Sequence, residues 1–283
     1  MTQQNLANEL YNFSSAFQAV NTVTLSRWET GKTVPSKHRK VLLLKFLYSK
    51  GCTKEEKCLK LFKELYRNIE KPLESALSLS LKQMIGNFPE AREGEYLLHQ
   101  FKKEQEQMKN LNVLIEIEKA MSTSGTYIAT QEQIAEWCCY PASFACICEQ
   151  NGQHAGHHIL LKLKTAVADE IIHHKKEIHT LSKNDFCAKN EKGTYLFFAF
   201  YARSPKVSAL LSVEHYLFLL ENSHYIDNIV IYSTREDAKT LLKNYGLKLV
   251  ATRVDEKYNM KWYGFSAALE DVLFSLSVIQ SIE

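Results

Sequence analysis

The feature that most constrains this chain is a change of period. Up to about Tyr127 the apolar residues recur at helical spacing, and beyond it short apolar runs alternate with helical segments. The stretch SFACICEQNGQHAGHHILLKLK reads as two strands on either side of Asn151-Gly152, the pair most favoured for a tight primed turn. A helix near residues 166–174 follows, then the strand TYLFFAFYA, a helix from Pro205 to Leu220 and the strand DNIVIYS. A helix from Arg235 to Tyr245 and closing strands near 247–254 and 261–267 complete the series. Ahead of the hairpin, Thr130 and Gln133 make a capping box for a short helix through Trp137. That order implies an α/β domain with a mixed sheet.

Helix punctuation divides the first quarter. Pro35 and Ser36 open a segment from Lys37 to Lys50 whose Val41, Leu42, Leu44 and Phe46 make a core stripe, and Gly51 closes it. Thr53 with Glu56 predicts a capping box and a helix to about Ile69 that buries Leu59, Phe62, Leu65 and Tyr66. Pro72 is expected to end this bundle. From Leu73 to about Ser122 the turn signals are Gly86, Pro89 and Gly94 only, and Leu97, Phe101, Met108, Leu111 and Ile115 fall at helical spacing. This segment reads as a packed linker helix or as a dimer-forming seam, which Glu104 interrupts.

Charge separates the two ends. Twelve Lys and Arg stand against six Asp and Glu in residues 1–70, so that segment holds a net +6 within a whole chain of +3. A basic unit joined to a mildly acidic one suggests a module that faces a polyanion. With 45% hydrophobic and 24% charged residues in 283, the chain has the balance of a soluble protein of two domains. No apolar run nears the roughly 20 residues of a membrane span, and MTQQNLANEL lacks the order of a signal peptide. Seven scattered cysteines, an odd number, fit reduced thiols. These features lead us to expect a cytoplasmic protein without a membrane partner.

The stretch NTVTLSRWETGKTVPS, Asn21 to Ser36, resembles the recognition-helix half of the lambda-repressor/Cro-like (XRE-type) helix-turn-helix family. Leu25 and Trp28 fall three apart and face the bundle, while Thr22, Val23, Ser26 and Arg27 take the outside or leading edge. The resemblance implies double-stranded DNA as partner, with Thr22, Val23, Thr24, Ser26, Arg27, Lys32 and Thr33 at the interface. Short hydroxyls and methyls suit base edges in the major groove, and Arg or Lys suits guanine or phosphate. It covers roughly residues 5 to 50. The preceding ANELYNFSSAFQAV departs from the family, so Tyr11, Phe13 and Phe17 are expected to fill the core there.

The C-terminal half is similar in element order to the GNAT family of N-acetyltransferases. The resemblance rests on the SFACICEQNGQHAGHHI hairpin, YLFFAFYARSPKVSALL as strand, turn and helix, and IVIYSTREDAKTLLKNYGLKLVA. It implies that acetyl-CoA or another acyl-CoA would lie against Phe200, Ala202, Arg203, Ser204, Lys206 and Val207, its pyrophosphate at a helix N-terminus. The run Tyr201 to Ser208 contains no glycine, Pro205 removes an amide donor, and Ser204-Pro205 is also a good N-cap and N1 pair. The position matching the family's tyrosine general acid is Leu242, with Tyr245 three residues later. No catalytic residue is therefore assigned.

His157-His158, His173-His174, His179 and Cys138-Cys139 raise a metal site, but adjacent strand residues face opposite ways and no Cys-x-x-Cys or His-Glu-x-x-His is present. No metal ligand is assigned, and Cys146 and Cys148, on one strand face, read as core.

The expected architecture is α+β and multidomain: an all-α helix-turn-helix bundle (1–72), a helical linker (73–124) and a GNAT-like mixed sheet (125–283). The expected function is a sequence-specific DNA-binding transcription regulator, a homodimer, whose second domain senses a small-molecule effector or a partner or mediates assembly. The alternative is an acetyl-CoA-dependent N-acetyltransferase carried to its substrate by the N-terminal unit.

Overall fold

The computed structural model describes residues 1–80, 95–101, 105–121, 129–236, 238–256, 260–275 and 278. The turn signals at Gly86, Pro89 and Gly94, the break at Glu104, and the boundaries near Ser122, Gly125 and Tyr127 lie outside them.

Three helices open the chain: α1 (Gln3–Phe13), α2 (Thr22–Glu29) and α3 (Lys37–Ser49). Asn21 starts α2, its Oδ1 accepting the Thr24 amide at 3.0 Å. Ala7, Leu10, Phe17, Val20, Leu25 and Phe46 form a common core, and Trp28 packs against it. Of the three aromatics expected to fill this core, only Phe17 is buried. Tyr11 is exposed, and Phe13 lies at the rim, edge-on to Phe46 at 5.4 Å. Between α1 and α2 the chain forms a single 3₁₀ turn, Ser15–Phe17, so the apolar space is filled from one short element.

Thr53 does not cap a helix. It is buried in a 3₁₀ turn, Cys52–Lys54, and α4 (Glu56–Asn68) starts from Glu55 without a side-chain cap bond. Helix continues past Pro72, which stands in the first turn of α5 (Glu70–Ser80), where a missing N–H costs nothing. Phe62, Tyr66 and Ile69 join the core of the sheet that follows, and the Tyr66 hydroxyl donates to the Leu273 carbonyl.

Within its described residues the segment expected to be linker helix holds the rest of α5, a strand and a further helix. β1 (Tyr96–Gln100) carries Leu97 and pairs antiparallel with β2 (Phe144–Gln150), from Tyr96 opposite Gln150 to Gln100 opposite Cys146. Helical spacing in Leu97 and Phe101 is overridden because the edge of β2 needs backbone partners. The helix α6 (Gln105–Met121) buries Leu111 and Leu114.

Among the described residues seven strands make one sheet in the order β1-β2-β3-β4-β5-β7-β6, with β3 (Gln153–Leu163), β4 (Gly193–Ala202), β5 (Ile226–Ser233), β6 (Lys248–Asp255) and β7 (Met260–Ala268). Asn151 (φ 54°) and Gly152 (φ 73°) form the β2–β3 turn, both left-handed as a primed turn requires. β4 and β5 run parallel, and the other neighbours are antiparallel. The crossover between β4 and β5 is α9 (Pro205–Glu221), opened as expected by Ser204 and Pro205.

One sheet face packs on α6, α7 (Gln131–Cys138) and α8 (Thr165–Ile172) through Trp137, Ile147, Ile159 and Leu161. The other packs on α4, α9, α10 (Ala238–Asn244) and α11 (Leu269–Leu273) through Tyr66, Cys146, Cys148, Leu160 and Leu211. Alternation along β2 and β3 explains the division, since Cys146 and Ile147 point to opposite faces. The Thr130–Gln133 capping box is formed at α7.

Gly246 closes α10 at φ 83°, and an added Cβ would stand 2.1 Å from the Asp271 carbonyl oxygen. Gly246→Ala should therefore lower unfolding free energy by more than about 2 kcal/mol in urea, combining left-handed strain with overlap against backbone. A change below 0.5 kcal/mol, roughly the effect of an ordinary surface substitution, would contradict this account.

Candidate functional site

Two places gather residues that could meet a partner or ligand. The first is the outward side of α2. Leu25 is buried and Trp28 turns inward, which leaves Val23, Arg27, Lys32 and Thr33 exposed and Thr22, Thr24 and Ser26 half-buried. Thr24 is already engaged at the helix start, its hydroxyl 3.1 Å from Asn21 Oδ1. The Ser26 carbonyl accepts the Thr30 hydroxyl at 2.8 Å, and Glu29 accepts from Gln3 at 2.6 Å. Arg39 is a structural cation, donating to the Ala16 carbonyl at 3.0 Å. Among the described residues neither Arg27 nor Lys32 makes an ion pair.

The second place is a fork in the sheet. β4 and β5 pair only from Gly193 opposite Ile226 to Phe197 opposite Ile231. Beyond Phe197, β4 pairs with β3 alone. A cavity of about 80 Å³ opens beside the fork on the α9 side, lined by His158, Phe197, Phe200, Ser208, His215 and Tyr245 among others. Tyr245 lines it together with Leu241, while Leu242 packs into the core. Burial raises the Tyr245 phenol well above its ordinary pKa, so the hydroxyl keeps its proton.

The turn from β4 into α9 carries the other residues implied for acyl-CoA. Ala202 and Val207 are fully buried. The Arg203 amide donates to the Ala155 carbonyl at 3.0 Å, the Val207 amide to Ser204 Oγ at 3.3 Å, and the Ser208 amide to the Ser204 carbonyl at 3.0 Å. Both cations are engaged as well. The Arg203 guanidinium donates to Gln150 Oε1, and the Lys206 ammonium binds the Glu70 carboxylate with Glu74 3.8 Å away. The hydrogen bond to Glu70 is the main reason the Lys206 pKa is raised. Leu73, fully buried, sits against Ala209 and Tyr245, so α5 lies across the gap between α9 and α10. In this arrangement the turn does not fit a diphosphate: Pro205 has no N–H, the Arg203, Val207 and Ser208 amides are bonded, and carboxylates already hold Lys206. No signal short of the fold points from sequence to Glu70 and Glu74, or to His215, as parts of this place.

The remaining histidines are dispersed. His154 Nε2 and His157 Nδ1 lie 3.0 Å apart on the sheet face opposite His158, His173 sits 3.2 Å from Asp169, and His179 3.3 Å from Glu177. No group of three potential metal ligands occurs among the described residues. Nor is any described helix long and apolar enough to cross a membrane.

No family model matches the chain, and no curated protein does. Solved structures similar to it include FeeM, an N-acyl amino acid synthase from uncultured soil microbes, at 13% identity over 62% of this chain and 92% of that one, TM-score 0.44. An acetyltransferase of the GNAT family from Streptococcus pneumoniae shares 12% identity over 62% of this chain and 99% of that one, TM-score 0.41. An aminoglycoside acetyltransferase from Legionella pneumophila shares 14% over 65% and 98%, TM-score 0.39. Likeness of this degree concerns the fold of part of the chain, and the chemistry of each site is read from its own residues.

Proposed function

We propose that the chain is a cytoplasmic, sequence-specific DNA-binding regulator whose GNAT-like sheet domain holds a small effector without turning it over. One contrast carries this reading: the cations beside α2 are free of ion pairs, whereas those of the β4–α9 turn are bound by the protein's own acceptors. A free Arg27 and Lys32 flanking short polar side chains suit a polyanion in the major groove. One such bundle covers a half-site, so the working form is a homodimer on two half-sites about one helical turn apart.

In titrations of the full chain against its operator, Arg27→Ala should weaken specific binding by about 1–3 kcal/mol, as loss of a base contact does. Lys32→Ala should weaken all sequences alike and reduce the salt slope by about one. Equal retention of DNA by both variants would remove α2 from the interface.

One observation favours a second reading, an acetyl-CoA-dependent N-acetyltransferase delivered to its substrate by the N-terminal unit. Tyr245 lines the cavity beside the fork and keeps its proton, so it is a residue there able to donate to a leaving group. Acetyl transfer to amines, abolished by Tyr245→Phe in a folded protein, would establish it in place of the effector reading.

A further inference from the structure

The cavity beside the β4–β5 fork is largely apolar, and three of its polar side chains, His158, Ser208 and His215, hold buried atoms without a partner among the described residues. His215 Nε2, Ser208 Oγ and both His158 ring nitrogens are buried without a hydrogen bond, the Leu211 backbone being the nearest group to act on His158. His158 and Ser208 are 1% exposed and His215 7%, so water outside the cavity does not satisfy them. Polar groups left this way carry a desolvation penalty, and native interiors rarely keep several side by side. The two imidazoles stand edge to face, 4.5 Å between centroids, with Phe197 and Tyr216 packed around them.

Burial holds both rings neutral: His215 is pushed down to about 3, and His158 is lowered well below its ordinary range by burial and then by His215. Each neutral imidazole offers one N–H and one lone pair, and the Ser208 hydroxyl offers both kinds of site. Among the described residues no Lys, Arg, Asp or Glu lines the cavity, so an ionised ligand would meet no countercharge there. The space, about 80 Å³, is near half of an apolar cavity of about 150 Å³ that accepts benzene.

We propose that this cavity binds a short, uncharged aliphatic molecule bearing one carbonyl, amide or hydroxyl group. The head group bonds His215, His158 and Ser208, and the alkyl part lies against Phe197, Phe200 and Leu241. This deepens the effector reading by naming the effector's chemistry, and it assigns the cavity to a molecule much smaller than a thioester cofactor.

Butyramide and 1-butanol serve as neutral probes, with butyrate and butylammonium as charged counterparts, all titrated into the full chain. The expected result is saturable perturbation of the His158 and His215 imidazole NMR signals by the neutral pair, with at least about tenfold weaker response to the charged pair, as an unpaired charge requires. Ser208→Ala and His215→Phe should each weaken butyramide by about threefold or more, the loss expected for one neutral hydrogen bond. The assignments need only the wild-type protein, so a variant that fails to fold leaves the test intact. Equal response to charged and neutral probes, or unsaturated drift showing water only in the cavity, would overturn the proposal. Operator binding, measured on the same samples, separates the outcomes. Loss of probe binding with DNA binding kept sinks this inference alone, and probe binding without DNA binding sinks the regulator reading alone.

Discussion

Lowering the pH from 7 to 5 should destabilise the protein by roughly 4 kcal/mol from His158 and His215 alone, each contributing about 1.4 kcal/mol per pH unit below an unfolded pKa near 6.5, with His154, pushed down to about 3 mainly by burial, adding in the same direction. Burial depresses His215 to about 3 and lowers His158 further still. A depressed histidine takes up its proton in the unfolded chain first. Its stabilising contribution is therefore complete above pH 6.5 and is lost progressively as the pH falls towards the folded value. Glu214, whose carboxyl is raised mainly by burial, works in the opposite direction, but nearer the carboxylate range. A loss of this size is a large part of the 5–15 kcal/mol that typically holds a domain together. Urea midpoints measured at pH 7, 6 and 5 should fall steadily, and His215→Phe should remove about one proton from the slope. A midpoint that stays level across that range would show that the two rings are not held neutral. Saturating butyramide should raise stability at each pH by the linkage expected for a ligand that binds only the folded chain.

Leu73→Ala should cost about 2–5 kcal/mol, the range for truncating a fully buried leucine. Leu73 is 0% exposed, wedged between Ala209 of α9 and Tyr245 just past the end of α10, while Glu70 and Glu74 of the same helix hold Lys206. One short helix thus ties the chain leaving the N-terminal bundle to the wall of the cavity. Amide exchange in residues 70–75 should accelerate in the variant, and Tyr245 should become more accessible, because local opening follows loss of buried apolar contact. If α5 also links effector to operator, the factor by which butyramide changes DNA affinity should shrink, and the factor by which DNA changes butyramide affinity should shrink equally. Unchanged exchange with less than about 1 kcal/mol lost, below the usual leucine range, would show that α5 rests on the sheet without anchoring it.

How much of this was legible in the residues follows from distance along the chain. Asn151-Gly152 sets its own turn, Thr130 caps its own helix three residues on, and Ser204-Pro205 starts α9 from adjacent positions. Leu25 and Trp28 turn inward on α2 by helical spacing alone. In each case the partners lie within one turn of chain, so residue type and spacing decide the outcome. Thr53 failed as a local reading because it is buried in a 3₁₀ turn, and Tyr11 because Phe17 takes the core place it was expected to fill.

Other features depended on groups far apart in sequence. Tyr96–Gln100 became a strand because β2, some fifty residues on, presented an open edge. Lys206 lost its freedom to Glu70, 136 residues earlier, and Arg203 to Gln150, 53 residues earlier. His158 meets His215 only because α9 crosses from β4 to β5 over the face of β3. The residues alone thus determined turns, caps, helix faces and the mixed α/β order. Tertiary structure alone decided which charges are neutralised, which strands diverge and which polar groups are enclosed together, since each depends on the free energy of non-local burial and pairing rather than on spacing.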